Sequence, residues 1–471
     1  MCDPPAVSRA ALVSALLISI ALSCGGDDSG TAGPLRLPTG AALSPDGGWL
    51  FVANSDLDRR SGASTLLALD LAAVDASLQD PSPPGASFSA DRRCRDSAVQ
   101  TGVVECDVEG FIDTSATISL PVGAGNIVVD RPFGADGISR LLIPSSVDAT
   151  ITWIDAEITP KGEGKTTLEL RCGQDRNGAC DEPHTLTHRF NDPESTRLPN
   201  DGVRLSLASG GYRYAYLPHL TGSAMTLIDL SGDGGPEISD IEGDFFNTDP
   251  YTETEYAGGF AVAQRPCDPA KPPTLSLECT RPALIGSHRF WPGIRQFTVA
   301  TAADVLLGNN NRGFQESNPA TAEDLPYMAD LAFEDETGDR MLLVSTTPPA
   351  LLRIDTRLDD GGEPSLTAID TVGLCRNPNI LAVDHPPTGE ALAYVSCYSD
   401  DQIAVVGLGS FRLVKTIDVG EGPNELVIDA ERRRLYVVET LGHSVAMIDT
   451  DASSSRYLEV TARIGVADRF F

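Results

Sequence analysis

Short apolar runs recur along the chain from residue 38 onward, each bounded by turn residues and followed by a second run that ends in or near an aspartate. The first unit is the clearest. Pro38-Thr39-Gly40-Ala41-Ala42-Leu43 leads into the Pro45-Asp46-Gly47-Gly48 turn, then Trp49-Leu50-Phe51-Val52-Ala53-Asn54, then Thr65-Leu66-Leu67-Ala68-Leu69-Asp70. Proline presets one backbone angle of such a turn and glycine supplies a positive one, so the pattern predicts strand, hairpin, strand. Continuously apolar runs such as Leu141-Leu142-Ile143 predict strands buried on both faces.

Aligning the units on the second strand places it at 50–53, 141–144, 214–217, 283–286, 342–345, 392–395 and 435–438. The third strands then end near Asp70, Asp155, Asp229, Val299, Asp355, Val406 and Asp449, and fourth strands follow, plainest at 117–122, 412–419 and 458–464. Pro378-Asn379-Ile380-Leu381-Ala382-Val383-Asp384 repeats as Pro423-Asn424-Glu425-Leu426-Val427-Ile428-Asp429. Four short strands per unit, repeated at a shrinking spacing, predict an all-β fold: a seven-bladed β-propeller of four-stranded antiparallel blades occupying 38–471 as one domain. Each blade is contiguous in sequence, so the ring is expected to close by packing without an exchanged strand.

These units resemble the YVTN-repeat, YncE-like propellers, through Leu50-Phe51-Val52-Ala53-Asn54, Leu435-Tyr436-Val437-Val438-Glu439 and Val445-Ala446-Met447-Ile448-Asp449. The resemblance implies a fold rather than a reaction, because propellers host unrelated functions. Two neighbouring classes set alternatives: lactonase-type propellers, which assemble active sites from scattered acidic and His or Arg side chains with a divalent cation, and propeller subunits of periplasmic redox enzymes.

The extra residues of the longer units sort by face. Segments 72–115, 156–197 and 231–258 follow third strands, and Cys267 to Cys279 lies in a first-to-second loop, so all four emerge on one side of the ring. Long braced loops on a rigid scaffold predict a recognition surface there. Cysteines pair most simply as neighbours: Cys94 with Cys106, Cys172 with Cys180, Cys267 with Cys279, and Cys375 with Cys397, the last tying a blade connection to a strand end on the opposite face. No C-x-x-C zinc spacing and no C-x-x-C-H haem attachment occurs.

Disulfides need an oxidising compartment, and the N-terminus supplies the address. Residues 12–22 form an apolar run behind Arg9, of signal-peptide length and too short to span a bilayer, ending in Ala21-Leu22-Ser23-Cys24. This resembles the bacterial lipobox, which implies a signal peptide over 1–23, lipidation of Cys24, a tether over 24–37 and anchorage in the cell envelope, at the outer membrane facing periplasm or surface. With 35 Lys and Arg against 67 Asp and Glu, the net charge of −32 repels nucleic-acid phosphates, so DNA and RNA are excluded as partners and an envelope protein or small ligand is expected.

Candidate chemistry is sparse. The G-x-S-x-G, H-E-x-x-H and P-loop signatures are absent. His219 and His443 fall in second-to-third loops near the predicted channel mouth and, with Asn379 and Asn424, are the candidate ligand contacts. Asp175, Asn177 and Asp181 offer oxygen ligands around Gly178, a partial Ca2+-loop pattern. His184 and His188, spaced i,i+4, are read as exposed loop residues. Asp130, Asp384 and Asp429 recur at inner-strand ends and are expected to share one structural role. These features favour a lipid-tethered binding or scaffold module, leaning away from an enzyme.

Overall fold

The computed structural model describes residues 35–58, 62–130, 138–162, 165–173, 178–208, 213–232, 234–243, 245–246, 258–266, 283–289, 294–298, 316–317, 327–358 and 364–465. The leader, Cys24, Cys267, Cys279, Asp175 and Asn177 lie outside the described residues.

Every aligned second strand forms. Trp49–Asn54, Ile138–Ser145, Tyr214–Pro218, Ala283–His288, Arg340–Thr346, Leu392–Cys397 and Arg434–Glu439 each sit between an inner strand and a third strand, in separate sheets that follow one another along the chain. Trp49–Asn54 and Leu392–Cys397 are buried at all their positions, as their unbroken apolar runs require. The outer strand Thr367–Gly373 buries none, and its apolar residues are interrupted by Thr367, Asp370 and Thr371.

The inner strands pack side by side around a centre. Each lies against the inner strand of the next sheet, and Pro38–Leu43 of the first sheet lies against Pro423–Asp429 of the last, closing the ring. This is an all-β propeller. Six sheets are antiparallel throughout, whereas the last is a mixed sheet of six strands, so the expected set of seven uniform four-stranded antiparallel blades is not what forms.

Two sheets depart from four strands, each for a physical reason. In the second sheet the third strand runs on as Thr150–Gly162 and turns back as Lys165–Arg171. Lys165–Arg171 covers the outer half of that strand, so the short strand Thr185–Leu186 takes the fourth position against Ile151 and Thr152. In the last sheet, Val460–Ile464 keeps a free edge, and a hairpin from the first sheet's insertion occupies it. Val104–Cys106 pairs parallel with Ala462, Arg463 and Ile464, and Cys94–Asp96 pairs with Val104–Cys106.

The expectation of closure by packing alone is therefore corrected. The four core strands of the last sheet are contiguous in sequence, but residues 72–115 return to the ring's seam as a clasp. Its helix Leu71–Leu78 is capped by Asp70, which accepts the Ala72 and Ala73 N–H groups at 2.9 and 3.1 Å. From that helix Asp75 reaches Arg432 at 2.9 Å and Arg434, both beside the last sheet's first turn. Arg463 donates to Gln100 Oε1 at 2.9 Å from the other side. The Cys94–Cys106 disulfide joins the two clasp strands. Cys172 pairs with Cys180 and Cys375 with Cys397, as the spacing predicts.

The recurring aspartates do not share one role: two anchor neighbouring units through ion pairs and one pairs within its own turn. Asp130 meets Arg213 of the next sheet at 2.8 Å, Asp384 meets Arg433 of the next at 2.7 Å, and Asp429 meets Arg432 in its own turn at 3.0 Å.

Candidate functional site

The starts of the inner strands crowd together at one end of the ring. A Cβ on Gly40 would lie 2.2 Å from the Gly125 carbonyl oxygen, and a Cβ on Gly125 would lie 2.2 Å from that of Val203, so only glycine allows the first three units to approach this closely. Polar side chains stitch the same level. Asn379 donates to Asn424 Oδ1 at 3.1 Å, Asn424 donates to the Thr39 carbonyl at 3.1 Å, and Thr39 Oγ1 donates to the Ala124 carbonyl at 2.6 Å. Asn126 exchanges two bonds with the Leu205 backbone, at 2.9 and 2.7 Å.

Arg204 closes the channel beneath this ring. Its guanidinium crosses from the third sheet to Asp330 of the fifth, 2.8 Å away, and to Glu425 of the last, 3.0 Å away. Asp330 also accepts the Leu381 N–H at 3.0 Å. Burial weakens the guanidinium's hold on its proton, but Asp330 and Glu425 more than reverse this, so its pKa lies above the ordinary value. Burial also pushes the Glu425 carboxyl above its usual range; Arg204 pulls it back and Asp330 pushes it up again. Burial, reinforced by the second carboxyl on the same cation, thus makes Glu425 hold its proton more tightly than a free glutamate does.

Above this plug lies a cavity of about 300 Å³. Its polar lining includes Thr39, Asn126, Arg204, Arg289, Asn379 and Asn424, and its apolar lining includes Leu57, Val203, Leu220 and Phe260. The second-to-third loops contribute Leu57, Ser146, Leu220, Thr221 and Arg289 to the rim, so the vestibule opens on the face opposite the long insertions. Arg289 is partly exposed, yet its Nη1 is buried and has no hydrogen-bond partner among the described residues. Its guanidinium lies over the Phe260 ring at 5.3 Å, and burial lowers its pKa, with Tyr327 opposing.

Of the residues expected to contact a ligand, Asn379 and Asn424 line this vestibule and the two histidines do not. His219 is fully buried, with its ring nitrogens 3.1 Å from the Asn200 carbonyl oxygen and 2.9 Å from Thr226 Oγ1; its chain neighbours Leu220 and Thr221 reach the cavity instead. His443 accepts the Leu37 N–H on Nδ1 at 3.0 Å, and burial lowers its pKa. Asp181 is occupied by His184, 2.5 Å away, and caps the following helical turn, while His188 contacts Thr187 Oγ1. The His184 ring packs on Trp153 with centroids 3.9 Å apart. Among the described residues no group of three or more His, Cys, Asp or Glu side chains is placed to hold a metal ion, and no helix is long and apolar enough to cross a membrane.

Arg204, Asp330, Phe260 and Arg289 were not marked by the repeat. Position was the usable signal: Thr39, Asn126, Asn379 and Asn424 share one place at the entry of an inner strand, and Arg204 follows that place in the third unit.

Solved structures of similar fold include Kuenenia stuttgartiensis hydrazine synthase (12% identity, TM-score 0.52, covering 91% of this chain and 100% of that one). They also include a putative 6-phosphogluconolactonase from Bacteroides fragilis (12%, 0.50, covering 89% and 98%) and Pseudomonas aeruginosa periplasmic gluconolactonase (12%, 0.51, covering 77% and 91%). At such identity the likeness shows the propeller fold alone. No protein-family model matches the chain, and no curated protein matches it.

Proposed function

We propose that this protein is an exported β-propeller, tethered to the bacterial envelope by lipid on Cys24, that binds a small ligand in the vestibule at its channel mouth. The observation that carries this reading is the convergence of polar and apolar side chains from separate sheets onto one concavity closed below by Arg204, the usual form of a small-molecule site. Counting the mixed last sheet as a blade makes seven, and the Leu435-Tyr436-Val437-Val438-Glu439 strand supports a place among YVTN-repeat, YncE-like propellers. An envelope protein as a further partner fits the same placement.

The test is native mass spectrometry of the full chain extracted from envelope membranes. A small molecule that copurifies with the protein and is lost in Leu57→Trp, which fills the vestibule from an exposed rim position, is the expected result. Equal recovery from both proteins would overturn the site. Metabolic labelling with a fatty-acid probe, abolished by Cys24→Ser, tests the anchor.

A second reading, a lactonase-like hydrolase, is favoured by one feature: Arg204, Asp330 and a Glu425 carboxyl of raised pKa gather at the channel mouth, where such enzymes need an acid beside cations. Turnover of glucono-lactone by the full chain, lost in Glu425→Gln, would favour it; no turnover would remove it.

A further inference from the structure

Apart from Arg289, the buried and half-buried arginines among the described residues each have a carboxylate partner. Arg213 has Asp130, Arg353 has Glu334 at 2.8 Å, Arg432 has Asp75 and Asp429, and Arg433 has Asp384. In the vestibule Arg204 is matched twice over. Arg289 stands apart: among the described residues no carboxylate pairs with it, although the chain carries 67 acidic side chains and its Nη1 is shut off from water. A guanidinium held in that state costs stability unless something arrives to neutralise it.

We propose that Arg289 anchors a small organic monoanion in the vestibule, a carboxylate whose remaining atoms carry neutral hydrogen-bonding groups. The inference rests on the vestibule being a ligand site and adds the charge and class of the ligand. Among the described residues one cation of the vestibule is uncompensated, so one negative charge completes the site. Phe260 holds one side of the guanidinium, and its exposed remainder, which lines the vestibule, is free to donate to a carboxylate oxygen. The amides of Asn379 and Asn424 and the Thr39 hydroxyl offer uncharged partners to the rest of the ligand, and about 300 Å³ limits it to a small molecule.

Calorimetric titration of the full chain with lactate, gluconate, glucuronate and benzoate, each beside its neutral amide, tests this. At least one acid is expected to bind, and its amide to bind roughly tenfold or more weakly, as the loss of a charge-assisted bond requires. Arg289→Gln should erase that preference, and Arg289→Lys, which keeps the charge, should retain part of it; circular dichroism checks that both variants are folded. Acids and amides binding the native protein alike, or a preference that survives Arg289→Gln, would overturn the anion site. Amide binding abolished by Leu57→Trp would in that case leave the vestibule standing. Binding of no acid overturns the proposal, and binding of no acid and no amide removes the vestibule for this class of ligand as well.

Discussion

Replacing Cys94 and Cys106 together by serine should open the ring at its seam. The disulfide closes a loop of sequence separation 12, and its removal restores chain entropy to the unfolded state worth about 3 kcal/mol. Removing Cys172–Cys180, with separation 8, costs a similar amount, about 2.5 kcal/mol. Global stability therefore barely distinguishes the two variants, but location does. Cys94–Asp96 and Val104–Cys106 cover the edge of Val460–Ile464, so loss of their bridge should raise amide exchange at Ala462, Arg463 and Ile464. The Cys172–Cys180 variant should leave those amides protected, and the neighbouring outer strand Arg412–Asp418 should be unaffected in both. Urea titration gives the first quantity and hydrogen exchange with mass spectrometry the second. Unchanged protection of Val460–Ile464 in the Cys94/Cys106 variant, or equal loss in the two variants, would refute the clasp.

The channel plug gives a paired prediction. Asp330→Asn leaves half-buried Arg204 short of a counter-ion and should cost about 3 kcal/mol in urea unfolding, whereas Glu425→Gln, which keeps an oxygen beside Arg204 and leaves Asp330 as its counter-ion, should cost less, about 1–2 kcal/mol. Glu425 has a folded pKa above its ordinary value of 4.5, so the folded state holds the proton more tightly and the stability this adds is lost as pH rises through the folded value; Glu425→Gln should gain stability relative to the native protein over that window, and a constant difference from pH 4 to 8 would contradict the assignment. Gly125→Ala should cost about 2 kcal/mol or more in melting experiments, because its Cβ would collide with the Val203 carbonyl; a variant of native stability would mean that the neck is looser than described. Asp75→Asn should weaken the clasp by about 1–2 kcal/mol through Arg432 and Arg434, measured by urea unfolding, with no change expected in ligand affinity at the distant vestibule.

The parts of the fold visible in the sequence were those buried on both faces. Trp49–Asn54 and Leu392–Cys397 are apolar because sheets cover them above and below, so the second strands could be found from their apolar runs and the alignment of the repeat. Outer strands carry no such mark: Thr367–Gly373 faces solvent, and the short Thr185–Leu186 has only two residues in its ladder. The clasp was hidden for a related reason, since Val104–Cys106 is a three-residue strand whose partner lies more than three hundred residues away. The insertions were legible as insertions, but a recognition surface was read where the largest of them spends its contacts on the ring itself. At the site, Asn379 and Asn424 were visible because the repeat aligns them. Arg289 and Phe260 are single residues whose meaning appears only when loops from different units converge.

The clasp also imposes an order of events. Its two strands are neighbours in sequence and share a disulfide, so that hairpin can form early, while the strand it must receive is made near the end of synthesis. Until Val460–Ile464 arrives, Val104–Cys106 presents an unpaired strand edge, the kind of surface that pairs with other chains. The seam that makes the finished ring secure is thus the place where an unfinished one is exposed to self-association, and a chain interrupted before residue 460 would carry that edge uncovered.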